Sequence, residues 1–119
     1  MIEGLDPNVW AGLRVLPAVA RIELIDTYFE YSLTVLTDLQ TAADVSDGAA
    51  FWLLVHQLKG CSASLGVQGL WHLCEELEEQ SRVGTLTDLA AAVQRIEVAY
   101  GHGVRALATQ RASLRRQTR

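Results

Sequence analysis

The chain has 119 residues, half of them hydrophobic and a fifth charged, with a net charge of −4. That is material for one domain with one core, and the acidic balance weighs against nucleic acid as a partner. No run is long and apolar enough for a membrane span, and no secretion or lipidation signal is legible, so the expectation is a cytoplasmic protein or a domain cut from a larger one.

Proline occurs only at Pro7 and Pro17, which leaves everything beyond free of the strongest helix breaker. Asp6-Pro7 reads as an N-cap followed by proline at the first helical position, and opens a short helix to about Val15 that packs Val9, Trp10 and Leu13. Pro17 opens a longer helix with apolar positions Ile22, Ile25, Phe29, Leu33, Leu36 and Leu39, in steps of three and four. Asp44-Val45-Ser46-Asp47-Gly48 breaks it and offers caps for the next helix. Phe51, Leu54, Leu58, Cys61 and Leu65 then mark a third stripe, interrupted at Gly66.

Val67, Leu70, Leu73, Cys74 and Leu77 form the stripe of a further helix, with Gly84 as its left-handed C′ residue. Thr85 and Asp88 resemble a capping box for the last helix, which carries Leu86, Leu89, Val93, Ile96, Tyr100 and Leu107. Gly101-His102-Gly103 predicts a kink or an early end there. The fold class is therefore all-α: an antiparallel, up-down four-helix bundle with a short extra N-terminal helix. One domain spans 1–119, with a lid helix over 1–16, the bundle over 17–107, and a basic helix end or tail over 108–119. Arg105, Arg111, Arg115, Arg116 and Arg119 crowd that end, as a solvated helix terminus or as a tail that docks on an acidic surface. Cys61 and Cys74 fall on apolar faces with no metal-ligand spacing, which makes them reduced core thiols, and no metal site is predicted.

His56 is the residue to explain. At about 100° per residue it points about 170° away from the centre of its own helix's core stripe, so it faces solvent in mid-helix. Its face holds the small residues Ala49, Gly60 and Ala63, the large apolar Trp52, and Lys59, the only lysine in the chain. A merely solvated face carries Glu, Lys, Arg and Gln instead. Lys59, three residues after His56, shares its face and suits the neutralisation of a phosphoryl group on the imidazole. Trp52 is either part of a docking surface or a residue packed under the N-terminal lid. His72 and His102 have no comparable partners and read as surface residues.

The run His56-Gln57-Leu58-Lys59-Gly60-Cys61-Ser62-Ala63-Ser64-Leu65-Gly66 resembles the signature of histidine-containing phosphotransfer (HPt) domains, and Leu70, Leu73, Cys74 and Leu77-Glu78 continue the likeness. The resemblance implies that His56 accepts the phosphoryl group through Nε2, that Lys59 stabilises the added charge, and that Gly60 and Gly66 allow close approach and the turn between helices. Many family members carry glutamine at the position of Glu78, whereas the chemotaxis-kinase type carries glutamate and bonds the histidine ring with it. Glu78 is either such a partner or one more surface glutamate in the run Glu75, Glu76, Glu78 and Glu79. The implied partners are response-regulator receiver domains and a (hybrid) sensor histidine kinase. The implied protein is a monomeric carrier and not an enzyme, without a stably bound cofactor, the Mg²⁺ for transfer residing in the receiver.

Two other classes fit less well. A bundle adaptor that only binds receivers or kinases has no reason to keep both His56 and Lys59. A metal or haem bundle projects its ligands inward from several helices, and His56 points outward. A kinase lacks its glycine-rich nucleotide loop here.

Overall fold

The computed structural model describes residues 2–118. It consists of α1 (Pro7–Gly12), a 3₁₀ turn (Leu13–Val15), α2 (Ala18–Asp44), α3 (Gly48–Ser64), α4 (Gln68–Arg82) and α5 (Leu89–Gln117). Helices α2 to α5 follow one another around an up-down bundle, each packed on the next, and α5 closes on α2. Fully buried Ile25, Leu39, Phe51, Leu58, Leu70, Leu77, Ile96, Leu107 and Leu114 form the core.

Length mismatch explains the lid. Helices α2 and α5 have 27 and 29 residues, against 17 and 15 for α3 and α4. The long pair would therefore project beyond the turn between α3 and α4 with its inner face bare. The N-terminal segment fills that space. Trp10 is buried and its indole N–H donates to the Leu65 carbonyl at 2.8 Å. Asp6 N–H donates to Gly66 O at 2.8 Å, Gln68 N–H to Gly4 O at 3.2 Å, and Leu5 forms an isolated antiparallel bridge with Val67. Asp6 also caps α1, accepting from Asn8 N–H. Gly66 makes the turn with φ +66°, and a Cβ there would come within 3.0 Å of Asp6 Cβ, so both backbone sign and space call for glycine.

The structure departs from the sequence expectations at three places. The buried face of α2 runs through Ile25, Tyr28, Ser32, Val35, Leu39 and Ala42, and Leu33 is 57% exposed. Ser32 is inside because it is satisfied: its hydroxyl donates to Tyr28 O at 2.6 Å and lies 2.8 Å from Tyr100 Oη. Tyr28 Oη in turn meets buried Ser62 Oγ at 3.0 Å, so a polar chain ties α2 to α3 and α5. Thr85 does not cap α5; Asp88 is itself the N-cap and accepts from Ala91 N–H at 2.9 Å. Helix α5 does not end at Gly101-His102-Gly103 but runs on to Gln117. Gly103 is buried, and a Cβ there would meet Val67 Cγ1 at 2.6 Å, so it is the point where α5 passes the start of α4. Of the two readings for the Arg-rich end, residues 108–117 take the helical one, with Arg115 and Arg116 exposed at the end of α5. Leu114 is fully buried, and Arg111 pairs with Asp26 at 2.6 Å while lying over the Phe29 ring.

Candidate functional site

Helix α3 carries the site. Asp47 caps its first turn by accepting from Ala50 N–H at 3.0 Å, and Phe51, Val55, Leu58 and Ser62 bury its inner face. That burial turns the opposite face outward, with Ala49, Trp52, His56, Gly60 and Ala63 all exposed. A Cβ at Gly60 would meet nothing within 4 Å. Packing within the chain therefore does not require glycine there, although it costs about 1 kcal/mol in a helix interior.

Helix α4 supplies the partner. Its buried residues Leu70, Cys74 and Leu77 set the rotation that brings Glu78 to the edge facing α3. The Glu78 side chain is only 16% exposed, and both oxygens are used. Oε1 lies 2.8 Å from His56 Nδ1, and Oε2 accepts from Lys59 Nζ at 2.7 Å. Burial alone would push the Glu78 carboxyl upward, but the Lys59 and His56 hydrogen bonds outweigh it and hold the group below its ordinary value. Lys59 shifts upward, chiefly through the same bond to Glu78. Since an ionised carboxylate only accepts, the hydrogen of this bond sits on Nδ1. Nε2 is then left with its lone pair on a side chain that is 56% exposed. An imidazole so held is a ready nucleophile with a fixed tautomer.

Trp52, one turn before His56, stacks on the ring with centroids 5.5 Å apart and planes 10° apart. It is 40% exposed, and its ring neighbour is the histidine. The i, i+4 spacing that produces the stack was visible in the sequence. His72 stands apart, against the edge of Trp71 at 4.6 Å, and His102 is exposed on α5. Cys61 and Cys74 are free thiols, raised by burial, Cys74 to about 12. Among the described residues, no three His, Cys, Asp or Glu side chains are grouped as metal ligands would be, and no helix is long and apolar enough to cross a membrane.

The profile of the Hpt domain family matches residues 23–115, which include His56, Lys59, Gly60 and Glu78. The chain belongs to the Hpt family. The crystal structure of histidine-containing phosphotransfer protein B (HptB) from Pseudomonas aeruginosa PAO1 is similar throughout. It has a TM-score of 0.83 at 28% sequence identity, over 93% of this chain and 96% of that one. Comparison with curated proteins finds no match. As an Hpt domain the chain is a histidine phosphotransfer protein of two-component phosphorelays, and Hpt proteins carry phosphoryl groups without being catalysts.

Proposed function

We propose that His56 is the phosphoryl-accepting residue of this Hpt domain, taking the group from the aspartyl phosphate of a receiver domain or from a histidine kinase and passing it to another receiver aspartate. One observation carries the reading: Glu78 engages Nδ1 at 2.8 Å and leaves Nε2 as the unengaged nitrogen of a side chain that is 56% exposed. Nε2 attacks phosphorus in line as the donor oxygen leaves. Lys59 lies one turn along the same face, and its ammonium swings from Glu78 toward the incoming phosphoryl oxygens. The metal ion and the remaining electrophilic groups are the receiver's; this chain contributes the nucleophile and its supports.

The face itself suits a broad protein partner. Ala49, Gly60 and Ala63 keep the backbone near the surface, and Trp52 offers an apolar plate beside the ring. Response-regulator receivers and a (hybrid) sensor kinase are the partners this reading requires, and the protein acts as a monomer.

The test is transfer from a radiolabelled phospho-receiver to the wild-type protein and to His56→Gln. Label on the wild type and none on the variant is the expected result. A wild type that binds receivers yet stays unlabelled makes the domain an adaptor that keeps only the docking face.

A further inference from the structure

Glu78 does more than orient the ring for attack. We propose that it keeps the Nδ1 proton in place after Nε2 is phosphorylated, so that phospho-His56 exists as a protonated, imidazolium-type phosphoramidate poised to give up its phosphoryl group. This rests on the reading of His56 as the phosphoacceptor.

The argument follows the proton. In the resting site Nδ1–H donates to Glu78 Oε1 and Nε2 holds a lone pair. When that lone pair forms the Nε2–P bond, the donor's P–O bond breaks and its electron pair leaves with the donor oxygen. The ring now has a substituent on Nε2 and a hydrogen on Nδ1, and carries a positive charge. In water such a ring is free to lose the Nδ1 proton and become a neutral phosphoimidazole. Here the proton is shared with a carboxylate 2.8 Å away, and an opposite charge at that range favours the charged ring. Trp52, stacked at 5.5 Å, presents its π face to the same ring and favours the cation as well.

The charged groups at the site are few. Lys59 on α3 and Glu78 on α4 are joined at 2.7 Å, and Glu75 of α4 acts on Lys59. Helix α2, the other element packed on α3, contributes no ion pair to His56 or Lys59 among the described residues. Once Lys59 turns to the phosphoryl oxygens, Glu78 is left facing only the Nδ1 proton, which strengthens its hold.

The consequence is a better leaving group. When a receiver carboxylate attacks phosphorus, the Nε2–P electron pair returns to a ring that leaves as neutral imidazole, with its hydrogen still on Nδ1. Without that hydrogen the ring would have to leave as an imidazolate anion. A glutamine at position 78 has no such bias. Its carboxamide can turn its NH₂ toward a bare Nδ1 and stabilise the deprotonated, slower phosphoimidazole. Glu78 is thus a positioning residue that sets the lifetime of the phosphorylated state.

The experiment phosphorylates the full chain and Glu78→Gln with a small phosphoramidate donor and follows loss of label from His56 between pH 5 and 9. The two should decay alike near pH 5, where both rings are protonated, and the wild type about tenfold faster near pH 8. Nitrogen-15 NMR of the phosphorylated wild type should show Nδ1 protonated at pH 8, which tests the proposal without any variant. Superimposable decay profiles, or a bare Nδ1 at pH 8, would overturn it while leaving His56 as the carrier. Absence of label from wild-type His56 under every donor would instead remove the reading on which it stands, and the proposal with it.

Discussion

At the scale of single residues, the Glu78 carboxylate is the centre of the site's electrostatics. Burial raises it, the bonds from Lys59 and His56 lower it further, and the net value lies below the ordinary 4.5. A depressed carboxyl stabilises the fold above its unfolded value, and that contribution disappears as pH falls through the folded value. Lys59 is raised above 10.5, chiefly by Glu78, so its share is present below 10.5 and is lost as pH climbs through the folded value. Urea midpoints of the wild type should therefore fall more steeply between about pH 5 and about pH 3 than those of Glu78→Gln. Parallel curves would mean that the pair contributes nothing to stability. Gly60 separates stability from function in the opposite sense. With no atom within 4 Å of a Cβ there, Gly60→Ala should raise stability by about 0.5–1 kcal/mol. The added methyl stands on the docking face, so receiver affinity should drop; an unchanged affinity, measured by titration calorimetry, would place the partner elsewhere. His56, Lys59 and the glycines were legible in the sequence because helical spacing fixes which face a residue occupies. Glu78 was legible only as one of two readings, ring partner or surface glutamate, since the choice between them depends on how α3 and α4 rotate against each other, and spacing within one helix does not fix that.

At the scale of elements, apolar periodicity placed every helix but mis-centred one face. On α2 the stripe through Leu33 missed buried Ser32, because periodicity counts apolar side chains and is blind to a hydroxyl whose partners, Tyr28 O and Tyr100 Oη, lie on its own and a distant helix. The same limitation applies at Gly101 and Gly103. Propensity treats them alike, as helix breakers, yet only one has a structural duty. A Cβ at Gly101 meets nothing within 4 Å, whereas one at Gly103 meets Val67 Cγ1 at 2.6 Å. Gly101→Ala should stabilise the protein by about 0.5–1 kcal/mol, and Gly103→Ala should destabilise it by about 1 kcal/mol or more, overpacking outweighing the propensity gain. Denaturant titration decides this, and a stabilised Gly103→Ala would mean that α4 and α5 separate at little cost. Asp88, taken in the sequence as the partner of Thr85, is the cap itself. Both residues are good cap types, and the chain between Arg82 and Leu89 stays outside a helix long enough to leave the choice open.

At the scale of the whole molecule, two long helices and two short ones leave one end of the bundle open, and the N-terminal lid closes it through Trp10 and the backbone bonds of Gly4, Asp6 and Gln68. That closure lies at the α3–α4 turn, nine residues and about 13 Å along the helix from His56, so the reactive face stays clear of the lid. The bundle holds His56 outward in the middle of α3 and supports it from α4 through Glu78, an arrangement suited to meeting successive partners with the same surface. The Arg-rich terminus, read from sequence as a solvated end or a tail, belongs to this frame through Leu114 and the Arg111–Asp26 pair. A count of arginines does not reveal a partner 85 positions away.

The central claim is that His56 carries the phosphoryl group. The most direct measurement incubates the wild type with a radiolabelled phospho-receiver, tests the label for acid lability and base stability, and maps it by proteolysis, with His56→Gln alongside. The account predicts acid-labile, base-stable label confined to the peptide containing His56 and a variant that takes up none. Label of equal intensity on His56→Gln, or label mapped to His72 or His102, would contradict it.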